Sequence, residues 1–244
     1  MCGICGFNWK EEELVRRMAA EMTHRGPDQD GVFCDDAVSL GHRRLSIIDL
    51  SEHGRQPMTN EAGTVRLVFN GEIYNFKELR DVLAAKGHVF ASRSDSEVIV
   101  HGYEEYGTGI LDKLRGMFAF ALWDAPRKRL FLARDRIGIK PLYYYFAAGK
   151  LVFASEIKAI LRDRTVPRRL NRQAIYDYLG FEFTAAPETM FKDIRKLPAG
   201  SCAVLENREL TVKPYWDLSF TREPNKLCYE AAVEKEREML DEAV

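Results

Sequence analysis

Residues 117–153, MFAFALWDAPRKRLFLARDRIGIKPLYYYFAAGKLVF, contain the pattern that decides the fold. Short apolar runs are separated by turn-forming pairs, Ala125-Pro126 and Ala148-Gly149. Runs of this length between turn signals are typical of strands, and short connections join antiparallel neighbours. We therefore predict an antiparallel meander over four runs: Met117 to Trp123, Arg129 to Ala133, Leu142 to Phe146 and Leu151 to Phe153.

The pattern on either side of this meander predicts more strands and a central pair of helices. Further strands are predicted at Val32-Phe33, Leu45 to Ile48, Val65 to Phe69, Ser201 to Leu205 and Leu210 to Lys213. Helices are predicted at Glu12 to Met22, Phe76 to Ala85 ended by Gly87, from the capping-box sequence Ser94-Asp95-Ser96-Glu97, Glu156 to Leu161, and Arg172 to Leu179. Strands grouped around two central helices, without βαβ alternation, favour an α+β layered fold.

The last part of the chain differs from the rest. Residues 215–226 are irregular and polar, and residues 229–244 form a highly charged helical segment. We predict one domain over residues 1–213, followed by a linker and the first helix of a further, C-terminal domain over 214–244. A helix that folds back on the first domain is the alternative.

Composition and charge exclude several classes of protein. The 244 residues are 46% hydrophobic and 11% aromatic, with a formal net charge of −1, so neither nucleic acid nor a membrane surface is indicated as a partner. No run approaches the roughly 20 apolar residues that span a bilayer, and the N-terminal residues show neither the basic n-region nor the apolar h-region that a signal peptide has. We expect a cytoplasmic protein whose five cysteines are reduced thiols.

Cys2 is the first candidate for chemistry. Removal of Met1, which is usual before a small residue, would leave one residue with a thiol and a free α-amino group. An α-amino group has a pKa of about 7.7 to 8.0, against about 8.5 for the thiol, so it can take the thiol proton near neutral pH. Cys2 then supplies both nucleophile and base.

Two other interpretations of Cys2 remain open at this point. A cysteine at the second position can be an accident of sequence. Cys2-Gly3-Ile4-Cys5 can also be a metal or redox CxxC pair, although no second pair completes a zinc site and the pair does not begin a helix after a strand.

The segment Asn70-Gly71 follows the apolar run Val65 to Phe69. Asn-Gly after a strand is ordinarily a type I′ hairpin turn. An asparagine amide beside an unhindered glycine N–H also offers two adjacent donors to a developing oxyanion, and both interpretations can hold at once.

Arg44 and Asp95 are candidates for holding a zwitterionic substrate such as an amino acid. A guanidinium can form two parallel hydrogen bonds to an α-carboxylate, and a carboxylate side chain can pair with an α-ammonium. The alternatives are a surface ion pair for Arg44 and a place in the first helical turn, capped by Ser94, for Asp95.

An ordered series of motifs resembles one family. The series is MCGICG, HRGPD at His24 to Asp28, GHRRLSIIDLS, FNGEIYN, SDSE, FAFALWD and RDRIGIKPLYY. Together these motifs resemble the glutaminase domain of glutamine-dependent asparagine synthetases, from Cys2 to about Trp216. The resemblance implies the four-layer αββα sandwich of two mainly antiparallel sheets found in N-terminal nucleophile hydrolases.

The resemblance also implies roles for matched positions. It implies that Cys2 is the nucleophile, Asn70 and Gly71 form the oxyanion hole, Arg44 holds the glutamine carboxylate, Glu72 and Asp95 surround its ammonium, and the backbone at Ile47 and Ile48 lines the pocket. The implied reaction is hydrolysis of glutamine to glutamate and ammonia through a Cys2 glutamyl thioester. In the intact enzyme, the ammonia would serve the ATP-dependent conversion of aspartate to asparagine.

The implied partners are glutamine and a C-terminal synthetase domain in the same chain, and a homodimer is left open. This domain is expected to need no cofactor or metal. ATP and magnesium belong to the synthetase domain, whose Ser-Gly-Gly-x-Asp-Ser loop does not occur here. The alternatives are an amidotransferase with another acyl acceptor, such as a peptide or cell-surface sugar, and a non-catalytic interaction domain.

Overall fold

The computed structural model describes residues 1–220 and 227–243. In that part of the chain the strands are β1 (Gly3–Phe7), β2 (Gln29–Cys34), β3 (Ser39–Arg44), β4 (Met58–Thr59), β5 (Val65–Ile73), β6 (Gly116–Asp124), β7 (Arg129–Arg134), β8 (Tyr143–Ala147), β9 (Lys150–Ala154), β10 (Ile194–Lys196), β11 (Ser201–Glu206) and β12 (Glu209–Pro214). The helices are α1 (Glu12–Ala20), α2 (Phe76–Ala85), α3 (Glu97–Tyr106), α4 (Ile157–Ile160), α5 (Arg172–Phe181) and α6 (Tyr229–Ala243).

The strands form two six-stranded sheets. Sheet A has the order β10-β8-β9-β1-β3-β2, and sheet B has the order β12-β11-β7-β6-β5-β4. The pairings between these strands are antiparallel. Strands and helices are thus segregated into layers, and the predicted α+β class is confirmed.

Three apolar clusters show the order of the layers. Between the sheets, one face of sheet A packs on one face of sheet B. The other face of sheet B packs against α2 and α3, and the other face of sheet A against α1 and α4. Successive side chains of β5 point to opposite faces of sheet B, which explains why both faces are buried. Leu67 and Phe69 face the helices, whereas Val68 faces the opposite sheet. The result is an αββα sandwich, as expected.

The predicted meander is divided between the two sheets. Its runs do form hairpins, β6 with β7 and β8 with β9, but the first hairpin belongs to sheet B and the second to sheet A. The chain crosses between sheets after β7, where the fully buried Asp135 accepts hydrogen bonds from the backbone N–H groups of Ile139 and Lys140 at 2.8 and 2.9 Å. Four continuous strands of one sheet were therefore the wrong interpretation of residues 117–153.

Three local predictions were also wrong. Leu45 to Ile48 is a loop, because the strand ends at Arg44. Asn70-Gly71 is no hairpin turn, since β5 continues through it to Ile73 and pairs with β6. The helix predicted from Ser94 begins at Glu97 instead, and the Glu97 carboxylate accepts from the N–H groups of Ala91 and Ser92 rather than closing a capping box.

Helix α6 is mostly exposed and contains no buried residue. An ion pair of 2.7 Å joins Glu242 to Arg115, and exposed pairs contribute only about 0–1 kcal/mol.

Residues 221–226 of the predicted irregular segment lie outside the described residues. The division at residue 213 stays a prediction. Among the described helices, none has the length and apolar character needed to cross a bilayer.

The helix-facing core of sheet B should dominate stability. Phe120 is fully buried there and meets Phe131 edge to face at 5.4 Å between ring centroids. Phe120→Ala should lower the free energy of unfolding by about 3–5 kcal/mol because it leaves a cavity in the core. Urea denaturation measures the change. The matched control is Phe183→Ala, since Phe183 is 61% exposed and should cost less than about 0.5 kcal/mol. Equal losses in the two variants would contradict this core assignment.

Candidate active site

A cavity of about 240 Å³ opens where β1, β3 and β5 come together. This volume suits a ligand of amino-acid size better than a drug-sized one, whose pockets run from about 300 to 1,000 Å³. All the site residues singled out in the sequence line it: Cys2, Arg44, Ile47, Ile48, Asn70, Gly71, Glu72 and Asp95. Residues distant in sequence thus meet at one place, although their individual roles stay predictions.

Cys2 lies immediately before β1, with its sulfur in the cavity. Its Sγ accepts from the N–H of Leu45 at 3.4 Å, and its carbonyl accepts from Arg25 Nε at 2.9 Å. Burial raises the pKa of the thiol, while the Leu45 N–H, the chain terminus and Arg44 act to lower it. Because burial prevails, the thiol is protonated at neutral pH, and a nucleophile here needs a base.

Asn70 presents an unused amide to the same cavity. Its side chain is 1% exposed, yet neither Nδ2 nor Oδ1 has a hydrogen-bond partner within the described residues. A buried polar group without a partner costs about 1–3 kcal/mol, so native structures rarely keep one without a reason. Next to it, a Cβ on Gly71 would lie 2.3 Å from the Met117 carbonyl oxygen, and only glycine fits. The amide is therefore a donor available to a ligand.

Arg44 is held rigidly at the cavity wall. It is 5% exposed, and its Nη1 donates to Gln29 Oε1 at 2.8 Å and to the Ser51 carbonyl at 3.2 Å. Its Nη2 donates to the carbonyl oxygen of Asp49. No carboxylate of the described residues pairs with this guanidinium, so the ion-pair alternative is wrong. The positive charge remains available to a ligand carboxylate.

Asp95 and Glu72 give the cavity a negative side. Asp95 is 5% exposed, and its Oδ2 accepts from the Ile73 N–H at 2.8 Å. Burial and, to a smaller extent, the charge of Glu72 raise the pKa of the Asp95 carboxyl to about 6. Neither carboxylate has an ion-pair partner in the described part of the chain. Two acids and an arginine in one cavity suit a ligand with separated positive and negative groups.

The loop that follows β3 forms the cavity rim. Ile47 is 68% exposed and Ile48 is 38% exposed, which explains why this apolar run does not form a strand of the core. The loop is anchored by the Ser46 N–H, which donates to Asp28 Oδ2 at 2.8 Å. Two apolar side chains at an open rim can cover a bound ligand.

Two cavity residues were not found from the sequence. Gln56 Oε1 accepts from the Phe69 N–H at 2.6 Å, next to Asn70. Lys140 is 5% exposed, and its ammonium has no hydrogen-bond or carboxylate partner in the part of the chain described. The motif RDRIGIKPLYY contained Lys140, but no local spacing connected it to Cys2.

The CxxC interpretation of Cys2 and Cys5 is wrong. Cys5 is fully buried in the cluster between sheet A and α1, where its Sγ lies 3.9 Å from the Val15 carbonyl oxygen. Burial raises the pKa of its thiol strongly. The Cys2 sulfur instead faces the cavity, so the two thiols occupy separate environments. All five cysteines lie within the described residues and are free thiols.

Comparison with solved structures supports the class of fold. The chain aligns with glutamine phosphoribosylpyrophosphate amidotransferase from B. subtilis with a TM-score of 0.64 and 18% identity, over 88% of this chain and 49% of that one. At this identity the likeness concerns the fold alone. The likeness supports the αββα sandwich as the class of fold.

Sequence comparison shows the family. The model of the glutamine amidotransferase domain matches residues 1–216, and the chain belongs to this family. Asparagine synthetase [glutamine-hydrolyzing] 1 of Bacillus subtilis is 41% identical over 228 residues, 90% of this chain and 35% of that protein. Amidase chyE of Penicillium rubens is 38% identical over 257 residues, 97% of this chain and 36% of that protein. The chain spans less than half the length of these relatives.

The buried carboxyl of Asp95 should leave a signature in the pH dependence of stability. Its folded-state pKa of about 6 lies above the value of about 3.9 expected when unfolded, so the folded chain holds this proton more tightly. Stability is therefore lost as the pH rises through this interval and stays lost above it. Relative to wild type, the free energy of unfolding of Asp95→Asn should increase by about 2 kcal/mol between about pH 4 and about pH 8.

Urea denaturation at the two pH values measures this difference. Asp36→Asn is the control, because Asp36 is a fully exposed acid whose pKa is lowered by its hydrogen bond to Lys10. It should show a small change of the opposite sign. Parallel pH profiles for wild type and Asp95→Asn would show that the Asp95 carboxyl is not destabilised by burial.

Proposed function

We propose that this domain hydrolyses glutamine to glutamate and ammonia through a thioester on Cys2. The observation that carries the proposal is the unpartnered, buried amide of Asn70 in the same cavity as the Cys2 sulfur. Hydrolysis of an amide passes through a tetrahedral oxyanion, and a fixed donor at that oxygen stabilises it. A non-catalytic interaction domain would have no use for such a donor.

Glutamine fits the charges of the cavity in one orientation. Its α-carboxylate accepts from the guanidinium of Arg44, and its α-ammonium lies between Glu72 and Asp95. Binding of the ammonium lowers the pKa of Asp95, so the buried carboxyl becomes a charged partner when substrate arrives. The side-chain amide then reaches Cys2 and Asn70. The carboxylate and ammonium select a free amino acid over a residue within a peptide.

The α-amino group of Cys2 supplies the base once Met1 has been removed. Met1 lines the cavity, so its removal frees both the amine and space for substrate. The amine accepts the thiol proton, and the thiolate forms a C–S bond to the amide carbon. The C–N bond then breaks, and the leaving nitrogen takes the proton from the α-ammonium and departs as ammonia. Water cleaves the thioester, which gives glutamate and restores the thiol.

For the whole protein, we propose that the ammonia passes to a synthetase domain in the same chain, which amidates aspartate at the expense of ATP. The identity of 41% to an asparagine synthetase over 90% of this chain supports this acceptor. ATP and magnesium would bind in that domain, and this one would need no cofactor. The likeness to amidase chyE favours a second candidate, an amidotransferase of this family with another acyl acceptor.

The role of Asn70 can be tested by steady-state kinetics on the chain that starts at Cys2. Wild type should release ammonia from glutamine, and Asn70→Ala should lower kcat by about 10² to 10³ with little change in KM, because the donor acts on the oxyanion rather than on bound substrate. Cys2→Ala should release none.

The control for this test is Asn207→Gly, in the β11–β12 turn. Asn207 has a φ of 51°, a conformation that glycine adopts readily, so the variant should keep the wild-type rate. A wild-type kcat in the Asn70→Ala variant would contradict the proposal that Asn70 stabilises the oxyanion. A wild-type chain that releases no ammonia would count against glutamine hydrolysis by the isolated domain.

A further inference from the structure

A second cluster of chemically reactive side chains lies outside the Cys2 cavity. His88 follows the end of α2, and His101 and Glu104 belong to α3. One donor atom from each of the three lies within 4.8 Å of the others. None of the three lines the cavity that contains Cys2. Glutamine hydrolysis as proposed above has no use for them.

The donor atoms are spaced as ligands of one small cation. Glu104 Oε2 lies 3.1 Å from His101 Nδ1 and 3.9 Å from His88 Nδ1. Tetrahedral zinc with bonds of about 2.0 to 2.1 Å holds its ligand atoms about 3.3 Å apart. Small rotations of the half-buried His88 ring would bring all three atoms to that spacing. The helix supports this pairing, since His101 and Glu104 are three residues apart and share one face of α3.

The second nitrogen of each imidazole faces a carboxylate. His101 Nε2 lies 3.6 Å from Glu97 Oε1 and 3.9 Å from Glu61 Oε1. His88 Nε2 lies 3.7 Å from Glu105 Oε2. Histidines that bind a metal through one nitrogen usually donate the other N–H to a carboxylate, which fixes the tautomer and the ring. In both histidines of the cluster the Nε2 atom lies near a carboxylate, at 3.6 Å for His101 and 3.7 Å for His88, while the Nδ1 atom faces the Glu104 carboxylate.

The carboxylate of Glu104 is positioned as well. Its Oε1 accepts from Asn60 Nδ2 at 2.7 Å, which leaves Oε2 turned toward the two rings. Asn60 is 4% exposed, and its Oδ1 accepts from the N–H of Thr64 at 2.8 Å and from that of Val65 at 3.0 Å, so its amide cannot turn. On the other side, the ring of Phe90 packs edge-on against His101 at 4.6 Å.

We propose that His88, His101 and Glu104 form a binding site for a divalent transition metal of the zinc class, with water as the fourth ligand. Two imidazoles and one carboxylate are a ligand set that zinc accepts. The surrounding acids, Glu61, Glu97 and Glu105, attract a cation to this position. The metal would join α3 to the segment that follows α2, so its role is structural.

The competing explanation is an ion-pair cluster without metal. The neighbouring carboxylates outweigh burial and raise the pKa of His101, so a protonated imidazole could satisfy the acids by itself. In addition, Lys86 pairs with Glu105. The two explanations differ in a direct way, because only the first binds metal with a defined stoichiometry.

Titration with Co²⁺ distinguishes them and does not depend on glutaminase activity. The titration uses the full chain with Cys2→Ala, Cys34→Ser and Cys228→Ser, so that the partly or fully exposed thiols do not compete. We expect one Co²⁺ per chain with visible d–d absorption and without thiolate charge-transfer bands, displaced by Zn²⁺. His88→Gln should weaken binding by at least about 10-fold to 100-fold, as loss of a metal partner does.

The matched control is His53→Gln, which changes an exposed histidine away from the cluster and should bind as the parent does. His88 is the ligand chosen for substitution because it is partly exposed and lies outside both helices, so the variant should keep its fold. Absence of a one-to-one complex, or equal affinity in the His88→Gln and His53→Gln variants, would overturn the proposal.

Discussion

The pairing of β1 with β3 is the constraint on which the site depends. Their register sets Gly3 opposite Arg43 and Cys5 opposite Gly41, so Cys2 emerges beside Arg44 and Leu45 at the end of the ladder. Close packing maintains this register: a Cβ on Gly41 would lie 2.8 Å from the Cys5 sulfur, and one on Gly6 would lie 2.6 Å from the Ser39 carbonyl oxygen. A slip by one residue would turn Cys5 out of the core and move Cys2 away from its partners.

The cavity beside Cys2 contains polar and charged groups whose burial is energetically unfavourable without a ligand. The amide of Asn70 is buried without a partner, Asp95 has a pKa raised by burial, and Arg44 donates to neutral acceptors alone. Each lowers the stability of the empty domain, since buried polar groups and charges are favourable only when paired. A zwitterionic amide would satisfy all three. Departures from the rules of folding are expected where a protein binds and reacts.

Much of this could be predicted from the sequence, and the errors have physical causes. The runs at residues 117–153 predicted their strands because alternation is local, but the division between two sheets depends on Asp135 at the crossing. Asn70-Gly71 has turn chemistry, yet nine-residue pairing with β6 keeps it in a strand. The apolar residues Leu45, Ile47 and Ile48 lie in the loop that forms the rim of the cavity, and not in a strand. Gln56, Lys140 and the histidine cluster depend on contacts distant in sequence, which no single motif contains.

Covalent capture tests most directly whether Cys2 is the nucleophile of a glutamine site. A chain whose Met1 has been removed is treated with an electrophilic glutamine analogue, and the modified residue is located by mass spectrometry of its peptides. We expect one adduct per chain, on Cys2, with labelling slowed by glutamine and unchanged in Cys34→Ala. Labelling of Cys34 or Cys228 instead, or labelling of Cys2 that glutamine does not slow, would contradict the assignment.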